Sequence, residues 1–320
     1  MTRSAVASEV AAAPLCRGCG RPIAGAYVKA MGACWHPEHF RCAACGRPIG
    51  RESFYEHGGA PYHQQCYIER VLPHCAYCGR PLTGTYLTDY WGTKFHPAHE
   101  TEYPACASCG RLVPELAGTT AADHPFPLCA ICRATSVTTH DDARSHFVKV
   151  IGWMMRQGLG VDHRIDLHVE LADVAAFRGE HGKGNLAALG RTEVTSYTRD
   201  GRVVETEVRK VLILRGLPAT QFEGVAAHEL GHAWLAIEQV RGLPPWAEEG
   251  FCELLAHRRY AALATAESRY YAERIEQNPD PVYGAGFRRM QALAKRVGFD
   301  GLVASLRTAK TLPGADLAEE

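Results

Sequence analysis

The sequence lacks several features that would place the protein in a familiar class. No window approaches the roughly 18 consecutive apolar residues of a transmembrane helix, so we expect no membrane association. Net charge is zero, because 35 basic residues balance 35 acidic ones, and the basic residues form no stripe, which argues against a nucleic-acid partner. Residues 1–14 have no charged region followed by an apolar core. We therefore expect a short disordered tail there, no signal peptide and a cytoplasmic location.

Cysteine is almost absent from the second half of the chain. Twelve of the 13 cysteines lie between Cys16 and Cys132, and only Cys252 follows them. In the cysteine-rich part, cysteines and histidines recur in pairs separated by two residues, with 16 to 19 residues between partner pairs. This spacing is typical of zinc sites, and a disulfide scaffold would have no use for the histidines. The two cysteines outside the pairs, Cys34 and Cys252, are interpreted as small core residues.

Taken in chain order, the eight pairs make four tetrahedral zinc sites. The predicted ligand sets are Cys16, Cys19, His36 and His39; Cys42, Cys45, His63 and Cys66; Cys75, Cys78, His96 and His99; and Cys106, Cys109, Cys129 and Cys132. Modules of this size draw most of their folding free energy from the metal. We therefore predict four structural zinc ions in the amino-terminal part of the chain.

The carboxyl-terminal part contains an H-E-x-x-H motif, from His228 to His232. A helix turns about 100° per residue, so the two histidines lie about 40° apart on one face and can hold Zn²⁺ together. Glu229 is expected to take a proton from a metal-bound water. The pattern predicts a helix over 220–239, a break at Gly242–Pro245 and a second helix over 246–264. The alternative is a buried helix whose histidines only pack or cap.

A small sheet is predicted ahead of the motif helix. A helix is expected over 146–157, a strand over 164–171, and a hairpin of strands 192–197 and 203–208 around Asp200-Gly201. A further strand follows over 211–214. Peptidases with this motif bind extended substrates against a sheet edge, and the strand near Val208–Leu214 is our candidate for that edge.

The segment Trp246-Ala247-Glu248-Glu249-Gly250-Phe251 resembles the glutamate helix of gluzincin peptidases. This resemblance implies that Glu249 is the third ligand of the catalytic zinc, and that Glu253 orients one zinc histidine. Gluzincins often place a tyrosine or histidine where it donates a hydrogen bond to the oxyanion, and Tyr283 is our candidate for this role. A packing role for Tyr283 stays open, and the competing donors are His257, Tyr260, Tyr270 and Tyr271.

Residues 16–66 resemble a LIM domain, through the central segment Trp35-His36-Pro37-Glu38-His39-Phe40-Arg41-Cys42 and the Cys45 that follows. His39 stands where the family usually has cysteine, and histidine can ligate zinc equally well. Residues 75–132 are similar to a more divergent LIM-like module. LIM domains generally recognise proteins, so we expect protein partners; the alternative is a purely structural role.

The whole arrangement resembles the plant LIM-domain peptidases that limit organ growth, over roughly residues 15–310. Further matching segments are 227–234, Glu248-Glu249-Gly250 and Pro281-Val282-Tyr283-Gly284. The resemblance implies a latent endopeptidase, activated by ubiquitylation, that cuts regulatory proteins. Family members often carry ubiquitin-interacting helices ahead of the LIM domain; we expect none here, so ubiquitin binding does not carry over. The alanine- and arginine-rich composition suits a bacterial relative.

These observations predict a multi-domain protein with two small zinc-ribbon modules. We place a LIM domain over 15–70, a LIM-like domain over 71–135 and an α+β zincin-type (gluzincin) metallopeptidase domain over 136–320. The expected function is that of a zinc-dependent endopeptidase acting on protein or peptide substrates, with one catalytic and four structural zinc ions. Its rivals are a LIM adaptor with a catalytically silent zincin domain and a different zinc hydrolase on the same scaffold.

Overall fold

A computed structural model of the protein describes residues 13–50, 52–119, 126–160, 168–177, 188–200 and 202–313. The chain divides into two compact units, a smaller unit Met1–Thr101 and a larger unit Glu102–Glu320. The predicted tail over 1–14 lies almost wholly outside the described residues, as does the first half of the predicted strand over 164–171, whereas residues 169–171 of its second half belong to an observed strand, Val169–Ala172. The domain boundaries predicted from the sequence stay predictions.

The smaller unit is built from short hairpins. Its described residues form antiparallel strand pairs, Val28–Ala30 (β1) with Ala33–Trp35 (β2), Phe54–His57 (β3) with Ala60–His63 (β4) and Leu87–Thr88 (β5) with Lys94–Phe95 (β6), together with the helix Gln64–Arg70 (α1). A short helix, His99–Glu102 (α2), follows. The apolar cluster of the first module is small and centres on Phe40 and Ile49, each 1% exposed. So little buried apolar surface is typical of modules that need a metal to fold.

The larger unit has mixed α/β content. Its elements are Ala130–Ala134 (α3), His140–Arg156 (α4), Val169–Ala172 (β7), Gly190–Arg199 (β8), Arg202–Leu214 (β9), Ala219–Ile237 (α5), Pro245–Leu263 (α6), Ala266–Glu276 (α7), Tyr283–Val297 (α8) and Phe299–Thr308 (α9). The two predicted helices around the motif are confirmed to within one or two residues. Helix α4 begins earlier than predicted because Thr139 caps it, its Oγ1 accepting a hydrogen bond from the Asp142 amide at 3.2 Å.

The sheet of the larger unit has the strand order β7–β9–β8, with β7 parallel and β8 antiparallel to β9. The predicted hairpin is confirmed, but the two strands expected over 203–208 and 211–214 are one continuous strand, β9. Over Val211–Leu214 the candidate substrate edge is therefore wrong. Val211–Leu214 pairs with β7 on one side and with β8 on the other, so its backbone groups are already used.

The motif helix α5 is buried on nearly all sides. Phe222, Leu230 and Trp234 are each no more than 1% exposed, as expected for a helix that is apolar all round. It packs against β8 and β9 on one side and against α4 and α6 on others. None of the helices among the described residues is long and apolar enough to cross a membrane.

Helices α6 and α8 approach each other through glycine. A Cβ atom on Gly250 would overlap the backbone of Gly286, and one on Gly286 would overlap the carbonyl oxygen of Trp246. Any side chain at Gly250 would push the two helices apart. The glycine that follows Glu249 thus brings the start of α8, where Tyr283 lies, close to the helix that carries Glu249.

Candidate metal centre

Three side chains from α5 and α6 converge at one point. His228 and His232 lie one turn apart on α5, and their Nε2 atoms are 3.3 Å apart. Glu249 extends from α6 so that its Oε2 lies 3.2 Å from Nε2 of His228 and 3.4 Å from Nε2 of His232. The structure thus brings together the three residues that were predicted from the sequence as ligands of the catalytic zinc.

The chemistry of this cluster fits a bound cation. Glu249 Oε2 is buried and, among the described residues, makes no hydrogen bond of acceptable geometry. Burial alone would raise the pKa of Glu249, but the nearby His228 and His232 lower it to about 2, so the residue is a carboxylate. A buried carboxylate oxygen that faces two imidazole nitrogens is costly unless something positive lies between them. Two imidazoles and a carboxylate are ligands that suit Zn²⁺.

Further carboxylates contact the outer nitrogens of the two histidines. Glu253 Oε1 lies 3.5 Å from Nδ1 of His228, in line with the orienting role implied for it. Glu248 Oε1 lies 3.2 Å from Nδ1 of His232, a contact that the sequence reasoning did not foresee. Burial lowers the pKa of His228, but Glu249 and the charge of Glu253 raise it on balance.

A sixth side chain, Cys252, lies close to the same histidines, with its Sγ within 4.8 Å of a ring nitrogen of each. Its thiol is fully buried, and burial raises its pKa to about 11, so the neutral form dominates. A Cβ atom on Gly231 would lie only 2.9 Å from this sulfur. The buried sulfur packs against the motif helix at Gly231, as a core residue does, and the interpretation of Cys252 as a core residue stays a prediction.

The carboxylate of Glu229 contacts strand β8. Glu229 is 6% exposed. Thr192 Oγ1 lies 2.8 Å from both the carbonyl oxygen and Oε2 of Glu229, and its single proton can be donated to either. A Cβ atom on Gly190 would lie 2.6 Å from Glu229 Oε1. Strand β8 thus holds the carboxylate of Glu229 in one place, and neither contact is visible in the sequence, where 37 residues separate the threonine from the glutamate.

A buried ionic cluster fixes α5 against its neighbours. Glu223, 5% exposed, accepts a hydrogen bond from Arg259 Nε of α6 at 3.1 Å and contacts Nδ1 of His146 on α4 at 2.6 Å. Both carboxylate oxygens are therefore used, as a buried charge requires. This cluster joins three helices and helps to set the position of Glu249 on α6 relative to the histidines on α5.

Tyr283 lies beside the ligand cluster at the start of α8. Its ring centroid is 6.5 Å from that of His228, with an interplanar angle of 22°, and 39% of the residue is exposed. Of its competitors, Tyr260 and Tyr271 are buried and their hydroxyl groups contact Gln221 and Ser108. His257 contacts Glu276 at 2.7 Å. The ring of Tyr283 thus lies against a predicted zinc ligand, and its role as a donor to the oxyanion stays a prediction.

A cavity of about 1130 Å³ opens over these residues. Its lining includes His228, Glu229, Glu249 and Tyr283, together with Gly190 and Thr192 of β8. A volume of this size exceeds that of a typical small-molecule pocket and accommodates several residues of an extended chain.

The cysteine-rich part of the chain holds four further clusters, whose ligand atoms lie within 4.8 Å of one another in each set. They have the same four-residue membership as the sets proposed from spacing. Representative contacts are Cys19 Sγ to His36 Nδ1 at 3.5 Å, Cys45 Sγ to His63 Nδ1 at 3.4 Å and Cys109 Sγ to Cys129 Sγ at 3.6 Å. These cysteine and histidine clusters are consistent with zinc binding. The first three lie in the smaller unit and the fourth lies in the larger one.

Fold and site together define a class of protein: a chain with LIM-type cysteine and histidine clusters, followed by a mixed α/β unit in which two histidines and a glutamate converge as a candidate metal site. Comparison with known proteins narrows this class. Residues 16–71 match the LIM domain family, and residues 182–269 match the family described as Protein DA1.

Similar curated proteins come from plants. The chain is 26% identical to Protein DA1 of Arabidopsis thaliana, over 89% of this chain and 65% of that protein. It is 27% identical to Protein DA1-related 1 of the same plant, over 93% and 66% of the two chains. It is also 27% identical to LIM domain-containing protein HDR3 of Oryza sativa subsp. japonica, over 76% and 55%.

The chain therefore carries a LIM domain and a DA1-like domain, and it is homologous to the plant DA1 proteins. It spans less than two thirds of the length of these three relatives. The expected LIM domain and the expected kinship with plant LIM-domain proteins are confirmed.

Proposed function

We propose that the protein is a zinc-dependent endopeptidase, with its active site in a zincin-type domain formed by the larger unit. One observation carries this proposal. A buried carboxylate oxygen of Glu249 faces two imidazole nitrogens at 3.2 and 3.4 Å, and Glu229, whose carboxylate contacts Thr192 at 2.8 Å, lines the same cavity. Metal ligands alone would serve a structural site, whereas the added carboxylate supplies the base that hydrolysis requires.

In this proposal His228, His232 and Glu249 hold the catalytic zinc, and Glu253 and Glu248 orient the two histidines. When bound, Zn²⁺ acts as a Lewis acid that lowers the pKa of a water molecule and polarises a carbonyl group. Three protein ligands are the number that catalytic zinc sites use, whereas structural zinc sites use four.

The remaining steps belong to side chains of this chain. Glu229 accepts a proton from the attacking water and returns it to the nitrogen of the leaving amine. Thr192 keeps the Glu229 carboxylate in the orientation that this transfer needs. A tyrosine hydroxyl group is protonated at neutral pH, and burial raises the pKa of Tyr283 further. In this proposal Tyr283 donates a hydrogen bond to the developing oxyanion.

Strand β8 replaces β9 as the candidate for substrate binding. Among the described residues β8 pairs with β9 alone, so its other edge retains backbone donors and acceptors. Gly190 and Thr192 on this strand line the cavity. An extended peptide that pairs with β8 would pass directly over Glu229. The LIM domain of the smaller unit is assigned to recognition of protein partners.

The Glu229→Gln substitution tests the proposed function. It preserves the shape of the side chain and removes the base, so we expect peptide cleavage to fall by about a thousandfold while the zinc content stays the same. The assay is cleavage of a randomised peptide library, read by mass spectrometry, with zinc measured on the same samples. Cleavage by the variant at the wild-type rate would remove Glu229 from the mechanism. A zinc-loaded wild type that cleaves no peptide would favour the alternative function, a LIM adaptor whose zincin domain is catalytically silent.

A further inference from the structure

The fourth metal cluster lies in the wall of the cavity that contains the candidate active site. All four of its cysteines are buried, and the first two, Cys106 and Cys109, flank Ala107 and Ser108. Ala107 is exposed, Ser108 is buried, and both residues line the cavity that also contains His228. We call the segment Cys106–Cys109 the fourth knuckle. Part of a LIM-like metal site thus faces the space where a substrate would lie.

Ser108 connects this knuckle to the motif helix. Its Oγ donates a hydrogen bond to Oε1 of Gln221 at 2.6 Å and lies 2.6 Å from the hydroxyl oxygen of Tyr271. A hydroxyl group has one proton, so when Ser108 donates to Gln221, it accepts from Tyr271. Ser108 and Gln221 are 4% and 7% exposed. Hydrogen bonds at such buried positions fix side-chain orientation, because breaking one leaves a buried polar group unsatisfied.

The orientation of Gln221 has a consequence for the cavity. Gln221 lies in the first turn of α5, about two turns before His228, and it lines the cavity. Its carbonyl oxygen faces Ser108, so the amino group of the same carboxamide is directed away from the knuckle. That group carries two N–H donors. Donors of this kind match the carbonyl oxygens that an extended peptide presents along its length.

We propose that the fourth knuckle is a substrate-binding wall, where Ala107 contacts an extended peptide and the carboxamide of Gln221, held by Ser108, donates a hydrogen bond to a peptide carbonyl. This inference rests on the proposed function, because it places a peptide in the cavity. It assigns Gln221 to binding and Ser108 to positioning. The metal of the fourth cluster then supports substrate binding, whereas those of the LIM domain serve partner recognition.

The Ala107→Trp variant tests this wall, and Ala76→Trp is its matched control. Both alanines follow the first cysteine of a C-x-x-C pair, both are exposed, and both donate their amide proton to a backbone carbonyl, of Pro127 and Lys94. Ala76 lies in the smaller unit. A tryptophan at Ala107 narrows the cavity, so we expect KM for a library peptide to rise about tenfold with kcat changed by less than about twofold. Ala76→Trp should change neither parameter.

A binding measurement without turnover completes the test. The library peptide that the wild type cleaves best is labelled with fluorescein and titrated, by fluorescence anisotropy, into the Glu229→Gln protein with and without Ala107→Trp. We expect about tenfold weaker binding in the double variant. Equal binding and an equal KM would overturn the inference and leave the proposed function intact. A wild type that cleaves no library peptide would instead overturn both.

The Gln221→Leu variant decides the question if Ala107→Trp loses metal. Leucine has a similar size, and Ser108 keeps its contact with Tyr271. We expect weaker peptide binding, a raised KM and an unchanged zinc content. Unchanged peptide binding in this variant would overturn the inference.

Discussion

The third and fourth metal clusters come from one predicted LIM-like segment, yet they lie in different compact units. The third cluster belongs to Met1–Thr101 and the fourth to Glu102–Glu320. Two ligands of the third cluster, Cys78 and His96, are half-buried, whereas all four ligands of the fourth are buried. The same ligand spacing can therefore build a cluster in a small, metal-dependent module or one in a larger core. Spacing predicts which side chains come together and does not predict what the knuckle packs against.

The largest effect is expected when one cysteine is removed from each of the two clusters, which tests whether they differ in their importance to the larger unit. We expect Cys106→Ser to lower the free energy of unfolding of the larger unit by about 4 kcal/mol or more, since loss of a buried metal site is among the most damaging changes. Peptide cleavage should be lost with it. Calorimetry and the library assay measure the two effects.

Cys75→Ser is the matched variant in the third cluster. It should also lose one metal, while the thermal transition of the larger unit and the rate of cleavage change little. Equal loss of activity in both variants would show that the larger unit depends on both clusters alike, and it would contradict a special role for the fourth cluster.

A smaller effect is expected within the larger unit, at the contact between Thr192 and Glu229. Thr192→Val removes the hydroxyl group at nearly constant volume, so the base loses its fixed orientation. We expect kcat to fall about tenfold to a hundredfold with little change in KM. Zinc content should not change.

Thr192→Ser is the control for this prediction, because it keeps the hydroxyl group and should restore most of the rate. If the serine variant were as slow as the valine variant, packing and not the hydrogen bond would explain the loss.

The smallest expected effect concerns the order in which cysteines react. During slow removal of metal by a chelator, an alkylating reagent should modify the exposed Cys19 at a rate about tenfold or more above that of any cysteine in the fourth cluster. The buried cysteines become accessible only when the core around them opens. Peptide mapping by mass spectrometry follows each site separately. Simultaneous modification would mean that burial does not protect the fourth cluster.

The sequence predicted those parts of the site that depend on local geometry. A spacing of four residues places two histidines on one face of a helix in any fold, and C-x-x-C pairs form knuckles wherever they occur. For this reason His228 and His232, and all four cysteine-rich sets, lie together as expected. Glu249 was predicted because its segment resembles the glutamate helix of gluzincins. Its place on α6 likewise depends only on the local sequence of that helix.

Features that depend on tertiary packing were missed. Thr192 reaches Glu229 across a gap between strand and helix, and such a contact leaves no periodic signal. The central position of β9 depends on the parallel pairing of β7, which a strand pattern cannot reveal. Helix α7 begins at a capping box formed by Thr265 and Ser268, in which serine replaces the usual glutamate or glutamine. The contact of Ser108 with α5 joins residues 113 positions apart.

The most direct test of the account is the metal content of the wild type and of the His228→Ala variant. The five candidate clusters predict five zinc ions per chain, falling to four when His228 is replaced. Native mass spectrometry resolves these states and shows which species are present. Five falling to four would establish a metal in the cluster of His228, His232 and Glu249. Four ions in both proteins would mean that this cluster binds no zinc, and it would contradict the proposed peptidase.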